Sequence, residues 1–351
     1  PTTARASAQA AWRASLQRTI ATVLDPVITQ FSECALVDFP AYPNVGDNAI
    51  WLGTVDYLQS RGVRIKYVCD IRHYSAAELR RAVRKGAILI EGGGNLGDLW
   101  KHHQRFRERV LTDFPDKTIV QLPQSIHFTS AETLDRAQSV INEHPSFLLF
   151  VRDQTSLAFA KKYFSCEARL CPDLAFMMRE ERLATLPPQS GTIVYLCRSD
   201  KESIADKVGQ SLLVPGLIVV DWIQTQPSMA KAAFQRTWRW RRRPIRMLQR
   251  LPFFLSRKQQ RRLEAANGMA QERVDYGAQL LGRGAVVVTD RLHAHILATC
   301  LGRPNVLFDN SYGKVTAFVR EWTENVPGVW VCGSEEEAIA LAQQVASTSK
   351  G

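Results

Sequence analysis

Short apolar runs alternate with amphipathic segments along almost the whole chain. After an N-terminal helix, the runs Cys34–Phe39, Val63–Cys69, Ala87–Ile90, Thr118–Leu122, Phe147–Val151 and Ala168–Cys171 predict strands. Helical periodicity at Asn48–Ser60, Ala76–Val83, Gln104–Phe114, Ala131–Glu143 and Ser156–Phe164 predicts the helices between them. Strand, helix, strand in this rhythm implies a parallel sheet with helices on both faces. The stretch Ala184–Gly191, with Pro187 and Pro188, interrupts the rhythm as a linker. A second alternation follows, with strands expected at Thr192–Cys197, Leu217–Asp221, Ala285–Thr289, Asn305–Phe308 and Val329–Cys332. A last helix is expected over Ser334–Ala346, where Ser334 and Glu337 have the spacing of a capping box. The expected fold is α/β, two Rossmann-like domains facing a cleft, with residues 1–185 in the first and 186–351 in the second. At 351 residues, two domains are also the natural prior from length.

One segment departs from the rhythm. Residues 236–262 hold ten arginines and a lysine, interleaved with Trp238, Trp240, Met247, Leu248, Leu251, Phe253, Phe254 and Leu255. This predicts a basic, aromatic helical arm, broken at Pro244 and Pro252. Tryptophans beside Arg241, Arg242 and Arg243 suit an anionic lipid headgroup boundary, with Phe253 and Phe254 entering the interface. The alternative is an arm whose apolar face packs on its own domain or on a partner subunit.

The formal charge of +11 favours an anionic partner, without choosing among nucleic acid, membrane surface and phosphorylated substrate. No RNA-recognition motif accompanies the arginines, so nucleic acid is not expected. Seven cysteines, odd in number and without a CxxC pair, read as reduced thiols of a cytosolic protein. There is no run of about 18 apolar residues and no signal-peptide stretch. The expected location is therefore cytoplasmic, peripheral on the inner face of the cell membrane if the arm binds lipid.

In parallel sheets, ligands bind beyond the carboxyl ends of strands, so the residues there are the candidates for chemistry. After the first strand, Asn44, Gly46, Asp47 and Asn48 either cap a helix or face a ligand. After the third, Glu91-Gly92-Gly93-Gly94-Asn95-Leu96-Gly97-Asp98 is a glycine-rich turn, either bare of ligand or open to an anion or sugar. It lacks the Gly-Lys-Ser/Thr ending of a P-loop and the GxGxxG dinucleotide pattern. The fourth strand ends in Gln124, Ser125 and His127, groups that suit sugar hydroxyls. Arg152 and Asp153 end the fifth, as an ion pair or as ligand contacts. Asp173 closes the sixth as a cap or a site carboxylate. The densest cluster is Thr289-Asp290-Arg291-Leu292-His293-Ala294-His295, between a strand and a helix, where Arg291 and the helix start would hold a phosphate or carboxylate. Lys314 in the next loop would add a second cation. No metal site is expected, because His293 and His295 diverge on a helix and no third ligand is evident.

These pieces in order, Asn44-Val45-Gly46-Asp47-Asn48-Ala49, Glu91-Gly92-Gly93-Gly94-Asn95, Leu122-Pro123-Gln124-Ser125, Val151-Arg152-Asp153, Cys171-Pro172-Asp173-Leu174-Ala175 and Asp290-Arg291-Leu292-His293-Ala294-His295, resemble the polysaccharide pyruvyl transferase family. The resemblance implies a fold like that of GT-B glycosyltransferases, with phosphoenolpyruvate as co-substrate and no other cofactor. It implies a ketal-linked pyruvate as product, in exopolysaccharide or cell-surface glycan synthesis, and donor contacts from Arg291, Leu292, His293 and Arg152, with Lys314 beside them. His293 is the expected general acid, with Arg291 beside it and His295 as substitute. Asn44, Asp47, Asn95, Asp98, Gln124 and His127 are the expected acceptor side, for a free or lipid-linked sugar. The resemblance says nothing of the arm. Two rival readings are a glycosyltransferase with a nucleotide-sugar donor, and a non-enzymatic carbohydrate- or membrane-binding protein. The acceptor sugar, the hydroxyl pair and the oligomeric state are not readable from the chain.

Overall fold

The structure is a computed structural model that describes residues 2–183, 188–196, 215–220, 222, 252–308 and 314–348. Its first sheet contains β1 (Glu33–Val37), β2 (Arg64–Cys69), β3 (Ala87–Ile90), β4 (Gly93–Gly97), β5 (Ile119–His127), β6 (Phe147–Val151) and β7 (Glu167–Leu170). They lie in the order β2-β1-β3-β5-β6-β7, with β4 paired to β5, and every pairing is parallel. The second sheet, also parallel, has the order β12-β11-β10-β8-β9, from β8 (Gln189–Leu196), β9 (Leu217–Val220), β10 (Gly284–Thr289), β11 (Asn305–Phe308) and β12 (Val329–Cys332). Two Rossmann-like sheets, as the alternation predicted, are thus present. The central strands are continuous apolar runs because both faces are covered, so Ala35, Leu36, Val37, Ile88, Ile90, Val287 and Leu307 have no exposed surface.

The helices are α1 (Thr2–Ile28), α2 (Val45–Ser60), α3 (Ala76–Ala82), α4 (Lys101–Asp113), α5 (Ala131–Glu143), α6 (Gln154–Tyr163), α7 (Pro252–Gly282), α8 (Leu292–Cys300), α9 (Lys314–Trp322) and α10 (Glu335–Thr348). Asn44 starts α2 by accepting from the amides of Gly46 (2.8 Å) and Asp47 (3.4 Å). Ser334 starts α10 through the amide of Glu337, whose own carboxylate takes the amide of Gly333 instead of closing the box on Ser334.

Two features depart from the expected pattern. The fourth predicted strand does not stop at Leu122. β5 continues through Pro123 to His127, because its pairing with β6 shifts register between Gln121 and Gln124, where the missing proline N–H is tolerated. The expected glycine-rich turn holds a short strand, β4. Gly97 there has φ +128, and a Cβ would stand 1.7 Å from the carbonyl oxygen of His127, so only glycine fits. Pro252 is the first residue of α7, where its missing N–H costs nothing, so a helix starts afresh at this proline; Pro244 lies outside the described residues.

α7 crosses back onto the first sheet. Gln259 Oε1 accepts from the amide of Val68 on the edge strand β2, Trp51 Nε1 donates to Asn267 Oδ1 (2.9 Å), and Glu78 binds both Lys258 and Arg262. Residues 255–262 of the expected arm therefore pack within the molecule, with Leu255, Gln259 and Arg262 buried. Trp238, Trp240, Arg241, Arg242 and Arg243 lie outside the described residues, as do the side chains of Phe253 and Phe254 and the expected domain boundary at 185/186. α1 spans the two sheets. Arg13 donates to the carbonyls of Phe176 and Met178, Gln17 to Phe176, and Gln9 to Pro327 in the second half. One apolar core accordingly runs from the first sheet through α2, α7 and α8 to Val194, Leu196, Val287 and Leu307. No helix among the described residues is long and apolar enough to cross a membrane.

Candidate active site

In each sheet the chain builds outward in one direction and then reverses, between β1 and β3 in the first and between β8 and β10 in the second. Such switch points leave a crevice beyond the strand ends. Asp38 and Glu91 stand at the first, Thr289, Asp290 and Arg291 at the second.

At the second, Thr289 Oγ1 donates to the carbonyl of Leu196 and accepts the amide of Arg291, which fixes the turn into α8. Arg291 occupies the N-cap in extended geometry without a side-chain cap, so the first amides of α8 are left for another acceptor. His293 then projects toward the first half. Its ring lies against Gly46, where a Cβ would stand 2.3 Å from His293 Cγ; any other residue in that first turn of α2 would displace the imidazole.

Two charged groups from the first half meet His293. Arg152 Nη1 lies 3.3 Å from His293 Nε2 and donates to Asp173 Oδ2 at 2.7 Å, while Asp173 Oδ2 is 3.4 Å from His293 Nε2. Arg152 Nε donates to Ser125 Oγ, which donates to Asp153 Oδ2, and Asp153 caps α6 through Ser156. The indole of Trp322 in α9 holds the carbonyl of Arg152 at 2.8 Å. Burial alone would raise the Asp173 carboxyl, but the hydrogen bond and charge of His293, with Arg152, outweigh it and hold Asp173 well below the usual carboxylate range. Arg152 and Asp173 are therefore both a buried ion pair and a clamp on the imidazole.

A second polar cluster lies at the ends of β1, β3 and β5. Asp38 has φ +72, an uncommon backbone for a residue with a side chain, and it sits at a strand end beside the site. Its Oδ1 meets His103 Nδ1 at 2.8 Å and its Oδ2 accepts from Asn95 at 3.4 Å. Burial disfavours a charged His103, yet Asp38 more than offsets it and the ring's pKa is raised. Arg107 has no exposed surface and donates to Gln121, Gln104 and Asn95; burial lowers it to about 10, which leaves it a cation at neutral pH. Glu91 accepts from Thr54 Oγ1; burial pushes its carboxyl well up, and the charges of Asp38 and Asp173 add to the shift.

The expected residues are thus placed unequally. His293 and Arg152 come together from the two halves, and Arg291 and Leu292, next to His293 in the chain, are both buried. Asn95 and Gln124 bond to each other, Gln124 Nε2 also reaching the carbonyl of Glu91. Asn44 is used as a helix cap, and Asp47 accepts from the hydroxyl of Tyr42. Asp98 turns away to bind the amides of Thr129 and Ser130, and His127 pairs with Gly97 at the far end of β4. Lys314 begins α9, its side chain outside the described residues. His295 is corrected: it is fully buried, held between Asn305 Oδ1 (2.6 Å) and Thr323 Oγ1 (2.8 Å), and burial pushes it down to about 4. It is a neutral core histidine and no substitute for His293. Asp38, His103 and Arg107 were not foreseen. An Asp between an apolar run and Phe39-Pro40 was the available signal for the first.

Two parallel-stranded bodies that bring an arginine, a carboxylate and a histidine together beyond their strand ends make this an α/β protein with a polar site where its halves meet. The polysaccharide pyruvyl transferase family matches residues 44–312. Pyruvyl transferase 1 of Schizosaccharomyces pombe is 32% identical over 307 residues, 82% of this chain and 69% of its own. EpsO of Bacillus subtilis, also described as a pyruvyl transferase, is 30% identical over 325 residues, 89% of this chain and 92% of its own. A crystal structure of a functionally uncharacterised protein from Klebsiella pneumoniae shares the fold, with a TM-score of 0.58 at 19% identity, over 91% of this chain and 99% of the other. The chain belongs to the polysaccharide pyruvyl transferase family and is, by that membership, a transferase.

Proposed function

We propose that the protein moves the pyruvyl group of phosphoenolpyruvate onto two hydroxyls of one sugar, forming a ketal and releasing phosphate. The observation that carries this is the placing of His293 Nε2 within 3.4 Å of both Arg152 and Asp173, at the uncapped start of a helix led by Arg291. Phosphoenolpyruvate carries a phosphate and a carboxylate, and Arg291, Arg152, the α8 amides and Lys314 supply the matching cations and donors. His293, braced by Asp173, gives a proton to the methylene carbon; the adjacent carbon becomes cationic, a hydroxyl adds to it, phosphate leaves, and the second hydroxyl closes the ketal. The balance needs no further cofactor. The donor rests chiefly on the second half, with Arg152 reaching it from the first, and the acceptor on the first half, a GT-B-like division of labour.

Offered labelled phosphoenolpyruvate and a panel of sugars, the protein should release phosphate only when a competent acceptor is present, with a product heavier by one ketal by mass. His293→Ala should lower turnover about 10²- to 10⁴-fold. Near-full turnover in that variant would remove the acid role, and turnover of a sugar nucleotide instead would overturn the donor.

The same reading places the acceptor on a lipid carrier, in exopolysaccharide or surface-glycan synthesis, with the enzyme held on the inner membrane face by Trp238, Trp240, Arg241, Arg242, Arg243, Phe253 and Phe254. Their mixture of rings and cations supports it. The protein should float with anionic but not neutral liposomes at moderate salt; failure to float with either rejects the membrane arm.

A further inference from the structure

Ketal formation needs a second proton-transfer group, one that relieves the attacking hydroxyl of its proton. Most carboxyl groups around the site are already committed. Asp38 uses one oxygen on His103 and the other on Asn95. Asp153 is held by Ser125 and Ser156, and Asp173 by Arg152, His293 and the amide of Ala175. Glu91 is buried and pushed toward its neutral form. Asp98 is spent on Thr129 and Ser130. Asp290 is buried and has a partner of its own.

Asp47 differs. Glu91 Oε2 and Asp290 Oδ1 also carry no hydrogen bond from the described residues but are sealed in the interior, whereas Asp47 is only half-buried: the Tyr42 hydroxyl donates to its Oδ2 at 2.8 Å, fixing the carboxylate, and Oδ1 carries no hydrogen bond from the described residues. Oδ1 stands 3.4 Å from where a Cβ on Gly93 would be. The neighbouring Gly46 touches His293, and a Cβ on Gly94 would stand 3.2 Å from Arg152 Nη2. The imidazole of His293, Oδ1 of Asp47 and the guanidinium of Arg152 thus each stand where a side chain on Gly46, Gly93 or Gly94 would reach.

We propose that Asp47 is the general base that takes the proton of the first attacking sugar hydroxyl, with Tyr42 as its positioning residue; this rests on the pyruvyl-transfer reading above. The protons then balance. His293 gives one to the methylene carbon as the C=C electron pair forms the C–H bond, and the hydroxyl oxygen bonds to the adjacent carbon as Asp47 Oδ1 takes its proton. The bond between that carbon and the bridging oxygen of phosphate breaks with its electron pair on the oxygen, and the departing phosphate receives the proton from Asp47. The second hydroxyl bonds to the same carbon and returns a proton to His293, so both groups end as they began.

The test uses the full chain with phosphoenolpyruvate and the acceptor that supports wild-type phosphate release. Asp47→Asn should keep the wild-type melting temperature and a KM for phosphoenolpyruvate within a few-fold, while kcat falls about 10²- to 10⁴-fold. Asp47→Ala should lose kcat similarly and regain at least about tenfold in sodium formate, whose carboxylate fills the vacated base position; a merely structural aspartate would not respond to formate. A kcat for Asp47→Asn within about threefold of wild type overturns the assignment, and so does an inactive Asp47→Ala that formate leaves unchanged. A wild-type protein that never turns over phosphoenolpyruvate strikes the donor reading first and takes this assignment down with it.

Discussion

Two histidines two residues apart have opposite fates. His293 faces a carboxylate and a guanidinium across the junction of the sheets, whereas His295 points into the second half between Asn305 and Thr323. For His295 the folded pKa of about 4 lies below the ordinary value near 6.5. As pH falls through that window the unfolded chain binds a proton that the folded chain refuses, so stability present at neutral pH is lost, about 3 kcal/mol once pH is below both values. Urea unfolding at pH 7 and pH 4.5 should show the decline, and His295→Ala should reduce its pH dependence. That variant should also lose about 2–3 kcal/mol at neutral pH, because Asn305 Oδ1 and Thr323 are left unpaired in a dry site. Turnover per folded molecule should stay within a few-fold of wild type. A variant that melts normally but does not turn over would restore His295 to the chemistry.

At the scale of elements, the sequence was legible where burial is two-sided. The strands ending at Val37, Ile90 and Thr289 are unbroken apolar runs, and no polar alternation competes with that signal. β4 was illegible because glycines carry no pattern, and the length of β5 because Pro123 imitates a terminator when the partner strand slips past it. Half of the site was readable for a related reason. Arg152 and Arg291 stand at strand ends, where an arginine has few structural excuses, but Arg107 sits on α4 among charged neighbours that look like a solvated face. Its burial depends on three amide side chains from Asn95, Gln104 and Gln121, a tertiary fact with no local periodicity. The docking of α7 was hidden likewise, since Glu78 and its partners Lys258 and Arg262 are far apart in sequence. Glu78→Ala should cost about 1–3 kcal/mol in urea unfolding, because the nearly buried Arg262 loses its ion pair. Amide exchange over residues 255–267 should quicken more than exchange in β5. Equal protection in variant and wild type would mean that packing alone holds this helix.

For the whole molecule, the two sheets contribute different parts of one site, and α1 and the shared core tie them together. α1 hydrogen-bonds on one side to the turn just beyond Asp173 and on the other to Pro327, so the distance between His293 and its two partners is held from outside the site as well as within it. The placing of α7 has a further consequence, for the order in which the protein can be made. The ribosome finishes the strands of the first sheet by residue 170, yet the helix that covers Trp51, Val68 and the β2 edge emerges only with residues 252–282. Until then the nascent first half carries an uncovered apolar face and an unpaired strand edge, both of which invite association with other chains. A fragment ending at residue 183 should therefore aggregate or bind a hydrophobic dye when expressed alone, and regain solubility when a peptide spanning residues 252–282 is supplied. A soluble, dye-silent fragment would show that the first half closes its core unaided. The alternation of strands and helices suggests two bodies made one after the other; the crossing of α7 makes the first wait for the second.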